Sequence, residues 1–387
     1  MVDIEYTRDQ RSIADFIAKL AKKYDRSYWC KKAESEYFLH EMWDEIAKNG
    51  YFGMVIPEHY GGGNLSYADL IVFLEELGRH GIITLHFVSF FMDCVLVMHG
   101  DEELKKRFLP LMSSGTYFSF AITEPDAGSN TFKIRTRAKR EGDYYRLTGQ
   151  KIYITGADES EYMVVVTRTT AYEEVDDKRS GISLFVVDSH SSGITMQHEN
   201  IEIFSPERQY TVFFDDVRVP AANLIGEEGK GSDYLFDGLN LERIVVAAYC
   251  IGLGKYALDK AINYAKGRNV FGTPIGSYQG LQHPLARAYV GLRLASLANH
   301  AAAKAMDEEN HGRLVGLYAN MAKLSGSEEA FKACDIAIQV HGGGGLTREY
   351  DVINISNMVR AMRVAPVSNE LILNYISQQH LGLPRSY

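Results

Sequence analysis

The sequence predicts a multidomain α and β protein, with an N-terminal helical domain (1–116), a middle antiparallel β-barrel or sandwich domain (117–232) and a C-terminal four-helix bundle (233–387). Three observations predict it. In the first third, apolar residues such as Ile13, Phe16, Ile17 and Leu20 recur at the three- and four-residue spacing of a helix face. From about residue 117 the period changes to short runs rich in Val, Ile, Thr, Phe and Tyr, broken by turn residues. After Pro220 and the glycine-rich GEEGKG at 226–231, helical spacing returns and holds almost to the end. A chain of 387 residues has room for this, since domains run to roughly 100–200 residues each.

The first helix is predicted from Thr7 and Gln10, which stand at capping-box spacing ahead of its apolar stripe. A second covers Tyr67 to Arg79, and PEHYGGG at 57–63 must be turn or loop between them. Helix continues through 86–112, with Pro110 and Ser113 to Gly115 closing it. Strands are expected over Tyr117–Thr123, Arg135–Arg140, Tyr144–Thr148, Lys151–Thr155, Tyr162–Thr169, Gly181–Asp188, Gly193–His198 and Tyr210–Val219. No helical pattern separates them, which favours antiparallel pairing over a parallel sheet. In the last third, Leu285, Ala288, Leu292 and Ala295 fall at helical spacing, and Leu314, Leu317, Met321 and Leu324 repeat it.

Composition excludes several function classes. With 46% hydrophobic and 24% charged residues and 9 prolines, the chain is neither disordered nor fibrous. Its net charge of −9, without a lysine–arginine block, argues against nucleic-acid binding. The longest apolar run, Ile244 to Gly254, is far below the ~18 residues that would read as a membrane span. The start, MVDIEYTRDQ, lacks a secretory pattern, so a cytoplasmic location is expected. Cys30, Cys94, Cys250 and Cys334 lie far apart with no CxxC pair, which predicts free thiols and no thiolate metal site. The twelve histidines include no HExxH, and no metal is expected.

Three motifs allow two readings each. GLGKYA, with Gly252, Gly254 and Ala257, matches a dinucleotide fingerprint. However, Val246, Cys250, Leu253, Ala257, Ala261 and Ala265 recur at helical spacing and favour one continuous helix. GGGG at 342–345 serves as a helix stop or as a place where backbone approaches a ligand without a Cβ in the way. AITEPDAGS at 121–129 is turn chemistry, or a strand end offering the hydroxyls of Thr123 and Ser129 to a polar ligand.

AITEPDAGS, KIYITGA (151–157), GRNVFGTPIGSYQ (267–279) and IQVHGGGGLTREY (338–350) occur in the order and spacing of the acyl-CoA dehydrogenase family. PEHYGGG, EELGR (75–79) and FDDVRVP (214–220) fit as well, so the resemblance spans nearly the whole chain. It implies an FAD flavoprotein, usually a homotetramer, that converts an acyl thioester to its trans-2-enoyl product. Carried over by position, Ile122 and Thr123 would face the flavin ring, and Tyr153 and Thr155 would stack on it and hydrogen-bond N5. Arg268, Phe271 and Gln279 match positions that hold the FAD of a neighbouring subunit, and Gln339 with Gly343 matches the glycine-rich segment packed on it. Arg268 has the fork of donors suited to a pyrophosphate. Ser129 would line the path of the pantetheine arm, with Asn240 and Arg243 also expected at the substrate.

Removing a proton next to a thioester needs a placed carboxylate and donors for the carbonyl oxygen. Most of the family supplies that glutamate near the C-terminus, where this chain has Ala365, Pro366, Val367 and Ser368. A minority branch, the isovaleryl-CoA and long-chain dehydrogenases, supplies it from a Leu-Glu-Arg segment after the β domain. Leu241, Glu242 and Arg243 stand at the matching place, so the resemblance implies Glu242 as the base. The plain alternative is a solvated glutamate in the first turn of a helix. Pro366 has no N–H to give the thioester carbonyl at the family's donor position. Ser368 and Glu370 match positions near the flavin. The expected activity is acyl-CoA dehydrogenation in fatty acid metabolism, passing electrons to an electron-transfer flavoprotein. Alternatives are a relative acting on a carrier-protein thioester, or as a reductase or oxidase, and a non-catalytic helical scaffold.

Overall fold

A computed structural model of the chain describes residues 6–35, 37–308 and 313–385. Among the described residues six α-helices come first: α1 (Arg8–Lys23), α2 (Arg26–Glu34), α3 (His40–Lys48), α4 (Tyr67–Arg79), α5 (His86–Met98) and α6 (Glu102–Ser113). Eight strands follow: β1 (Phe118–Ala121), β2 (Arg137–Glu141), β3 (Tyr144–Thr155), β4 (Tyr162–Arg168), β5 (Ile182–Asp188), β6 (Ile194–Glu199), β7 (Gln209–Pro220) and β8 (Leu224–Ile225). Then come α7 (Gly231–Gly267), the hairpin β9 (Asn269–Val270) and β10 (Thr273–Pro274), α8 (Gln279–Asp307), α9 (Arg313–His341), α10 (Val352–Ala361) and α11 (Asn369–Gln379). The chain divides into two compact units, the described residues of 1–31, 66–83 and 243–387 in one and 32–65 with 84–242 in the other. The division falls inside α7, between Glu242 and Arg243.

The first unit is helical. Thr7 and Gln10 form the capping box the spacing predicts, and Ile13, Ile17 and Leu20 are buried. Ser66 and Asp69 cap α4 in the same way. The two glycines of GLGKYA lie inside α7, where they let helices approach. A Cβ on Gly252 would fall 2.2 Å from the Glu75 carbonyl oxygen of α4, and one on Gly254 would fall 2.6 Å from Leu292 of α8 and 3.0 Å from Ala330 of α9. The helical reading of that segment holds and the nucleotide reading does not. Gly326 of α9 likewise meets Ala247 of α7, so α7, α8 and α9 pack at small-residue contacts. Of the two apolar rows, Ala288, Leu292 and Ala295 are buried, whereas Leu314 and Met321 are 45% and 44% exposed. The α9 row is displaced by one residue, and Val315, Ala319 and Ala322 face inward instead.

The second unit holds one eight-stranded sheet of order β6-β7-β3-β2-β4-β5-β8, with β1 paired to β4. The core is Tyr145, Leu147, Met163, Val165, Phe185, Val187, Val212 and their neighbours on alternate positions. Most ladders are antiparallel, as expected, but β1 and one bridge of β2 run parallel to β4. The β2–β3 hairpin intervenes between β1 and β4, and short turns between consecutive strands say nothing about such a pairing. The two runs predicted at Tyr144–Thr148 and Lys151–Thr155 are one strand, β3, whose register with β7 shifts between Leu147 and Gly149 and again between Lys151 and Ile154. The single helix predicted over 86–112 is two, α5 and α6, with Asp101 capping the second through Leu104 N–H. Pro110 lies inside α6, and the chain turns away only at Gly115, whose φ is 87°.

Candidate active site

In the sheet unit, β1 ends at Ala121, and Ile122 and Thr123 leave it beside the bulged end of β3. The Ile152 N–H donates to the Thr123 carbonyl at 2.8 Å, and Lys151 Nζ donates to the Ile122 carbonyl at 2.8 Å. Lys151 is fully buried and paired with Glu124 at 2.8 Å. The Glu124 carboxylate also accepts the N–H groups of Arg135 (2.6 Å) and Thr136 (2.9 Å). Burial works to raise the Glu124 carboxyl, but the Lys151 charge and these donors outweigh it and hold it below its ordinary range. Burial pulls the Lys151 ammonium down to about 8, with Glu124 opposing. This pair joins the AITEP and KIYIT segments. Sequence reading passed over both residues.

Tyr153 occupies the second bulge at φ 58° and stands 58% exposed. Positive φ costs a bulky L-residue roughly 1–2 kcal/mol, so the fold holds this ring outward against its backbone preference. Two residues on, Thr155 Oγ1 hydrogen-bonds the Gln209 side chain of β7 at 2.9–3.1 Å. Ser129 is exposed, and Gly128 next to it meets only Thr123, at 4.0 Å from an added Cβ. Asn240 is half-buried, and Glu242 is only 6% exposed and lies well inside α7. The first-turn surface position that would make it an ordinary solvated glutamate is not where it stands. Asp93 of α5, which sequence reading did not single out, is fully buried in the same unit, and the Glu242 charge contributes to holding it protonated.

In the helical unit the β9–β10 hairpin carries a second aromatic at positive φ. Phe271 has φ 54° and Gly272 φ 83°, the pattern of a tight primed turn, and Phe271 is 94% exposed. Arg268 precedes the hairpin, and Gln279 opens α8 just after it. The Arg268 side chain is exposed and makes no ion pair or hydrogen bond among the described residues. Gln339 is exposed near the end of α9, and Gly342 and Gly343 follow with nothing within 4 Å of an added Cβ. His341 packs on Tyr264 at 4.5 Å between ring centres, which draws the end of α9 toward the α7 turn that precedes Arg268. Ser368 caps α11 by accepting from Leu371 N–H at 3.3 Å, and Glu370 in its first turn is exposed. The preceding loop is pinned by buried Lys323, which donates to the Val367 carbonyl at 2.5 Å and to Asn369 Oδ1 at 2.8 Å. Arg243, first in α7 on this side of the division, is half-buried.

The carried-over residues therefore group within each unit: Ile122, Thr123, Tyr153 and Thr155 in one, and Arg268, Phe271, Gln279, Gln339 and Gly343 in the other. In the sheet unit an aromatic held out at positive φ and a hydroxyl on a bulged strand suit the face of a planar ring, and in the helical unit an exposed arginine fork, a second aromatic at positive φ and open glycines suit a diphosphate. Among the described residues, no group of three His, Cys, Asp or Glu side chains could hold a metal. No helix among the described residues is long and apolar enough to cross a membrane.

Comparison with known proteins gives the same reading throughout the chain. Residues 7–116 match the N-terminal domain of acyl-CoA dehydrogenases, 119–217 the middle domain and 229–381 the C-terminal domain. The acyl-CoA dehydrogenase FadE12 of Mycobacterium tuberculosis is 40% identical over 386 residues, covering 98% of each chain. The solved butyryl-CoA dehydrogenase of Megasphaera elsdenii superposes with a TM-score of 0.91 at 26% identity, covering 98% of this chain and 100% of that one. A chain in the structure of the electron transferring flavoprotein of Acidaminococcus fermentans also superposes at 0.91, with 28% identity and coverage of 98% and 99%. With all three domains matched in order and a relative this similar over its whole length, the chain belongs to the acyl-CoA dehydrogenase family and is an oxidoreductase of that family.

Proposed function

We propose that the chain catalyses α,β-dehydrogenation of an acyl-CoA thioester, with Glu242 as the base that takes the α proton and FAD as cofactor. The observation that carries this reading is the burial of Glu242 inside α7, in LNLERIVVAA, while the C-terminal segment offers Pro366 and Val367 where most relatives have their glutamate. A nearly buried carboxylate is costly to keep, which is why such groups gather at functional sites. Ile122, Thr123, Tyr153 and Thr155 would face the flavin ring, while Arg268, Phe271 and Gln279, with Gln339 and Gly343 packed on it, would hold the FAD of a neighbouring subunit, and Ser368 and Glu370 would lie near the flavin. When bound, the flavin supplies the hydride acceptor. Ser129, Asn240 and Arg243 are assigned to the substrate. Replacing Glu242 by Gln keeps size and polarity but removes the base. Turnover should fall at least a thousandfold while the protein stays yellow, and a variant with wild-type turnover would sink the assignment.

The electron acceptor in this reading is an electron-transfer flavoprotein, the process is fatty acid metabolism, and the assembly is a homotetramer. An apolar face supports the last point: Val290, Leu294 and Leu297 of α8 are 54%, 62% and 52% exposed at helical spacing. Pro366 favours a second reading, since it removes a donor worth about 3 kcal/mol to a developing oxyanion. In that reading the chain acts on a carrier-protein thioester, or as a reductase or oxidase. Anaerobic titration separates the two: acyl-CoA thioesters bleach the flavin bands in the first, and carrier-protein thioesters alone do so in the second.

A further inference from the structure

The start of α7 packs on α5 in antiparallel register within the sheet unit. His99 at the end of α5 lies 3.2 Å from Asp237 Oδ2 and stacks on Tyr234 at 4.9 Å. One and two turns back along α5, Leu96 and Met92 close over Gly238, at 2.8 Å and 2.9 Å from an added Cβ. A side chain at Gly238 would be excluded. Asp93 follows Met92 in α5, and Glu242 lies one turn beyond Gly238 in α7, so the two buried carboxyls stand within about a turn of each other across this contact, and the Glu242 charge acts on Asp93. Asp93 is 0% exposed, and neither of its carboxyl oxygens has a hydrogen-bond partner among the described residues. It is closed to water and substrate, whereas Glu242 keeps 6% of its surface open.

We propose that Asp93 is a positioning residue for proton abstraction, forming with Glu242 a carboxyl pair that carries a single negative charge, placed on Glu242. The physical reason is that two carboxylates in a water-poor site cannot both ionise, and the more deeply buried one, without donors, keeps the proton. Burial first, and the Glu242 charge second, push the Asp93 carboxyl well above its ordinary range. Glu242 on α7 is the group that acts on Asp93 through its charge, and the neighbouring Cys94 is held as a thiol by burial. When the α C–H bond breaks, the proton passes to Glu242 and the electron pair remains with the acyl group. Asp93 keeps its own proton throughout. Its neutral carboxyl dipole is the polar backing that lets Glu242 stay ionised in a site with little water.

This inference rests on Glu242 being the base, and the test separates the two. Infrared spectra of the wild type, D93N and E242Q are compared over a pH series. The wild type minus D93N difference should contain a protonated-carboxyl C=O band at neutral pH. In E242Q, where the neighbouring charge is gone, that band should disappear at a lower pH than in the wild type. A difference spectrum without the band, or a band that titrates alike in the wild type and E242Q, overturns the pair. Kinetics give a second readout. D93L should move the acid limb of kcat up by about one pH unit, a tenfold loss on that side, with KM unchanged. D93N, still polar, should leave the limb near its wild-type position. A D93L profile with an unmoved limb overturns the positioning role. Wild-type turnover in E242Q would remove Glu242 as the base, while the infrared comparison still decides the pair.

Discussion

At the scale of single residues, Lys151 braces the candidate flavin face. It ties the Ile122 carbonyl to Glu124 from a fully buried position. Removing one partner of such a pair strands a buried charge, a loss of about 3–5 kcal/mol. Lys151→Met should therefore lower Tm markedly and reduce flavin content in the purified protein, whereas Glu124→Gln, which keeps an acceptor, should do less. Thermal melts with absorbance ratios check both. None of this could be read from the motif, because KIYITGA shows an alternating strand but not which face Lys151 takes. The bulge that turns Tyr153 outward depends on the pairing of β3 with β7.

Among elements, α5 depends on a buried carboxyl at its start. Glu207, in the loop before β7, is driven up to about 7 by burial. Its Ser205 hydrogen bond at 2.6 Å and the N–H groups of Leu85 and His86 pull the other way. The sign follows from proton uptake: between pH ~4.5 and ~7 the folded state holds a proton that the unfolded chain has lost. The wild type should therefore lose stability as pH rises through that window, by up to about 3 kcal/mol at full burial. Glu207→Gln has no such proton, and its melting temperature should gain on the wild type from pH 4.5 to 7. Equal pH slopes would show that Glu207 does not titrate there. At this scale the sequence was legible where local chemistry decides. The capping box at Thr7 and the limits of α4 came out as predicted. The split between α5 and α6 and the inward face of α9 did not, because small shifts of phase or a short polar break barely alter apolar periodicity.

At the scale of the whole molecule, the exposed row Val290, Leu294 and Leu297 predicts assembly. Light scattering should give roughly four chain masses for the wild type, in line with closed symmetric oligomers. Leu294→Asp should give smaller species, and a monomeric wild type would count against the tetramer.

What the sequence by itself determined is the succession of helical, β and helical segments and the family. Both are written in periodicity and in short motifs that survive without contacts. The reading of GLGKYA as helix belongs here too, since its apolar spacing extends well beyond the motif. Tertiary structure alone decided the parallel pairing of β1 with β4. It also decided the two aromatics at positive φ, the pinning of the C-terminal loop by Lys323 and the burial of Asp93 beside Glu242. Apart from the Phe271 turn, which is local to the β9–β10 hairpin, these depend on residues far apart in the chain meeting, and in a water-poor interior an unpaired charge or a bulky Cβ is costly. That cost is set by neighbours rather than by the residue itself, so it has no signature in a single sequence.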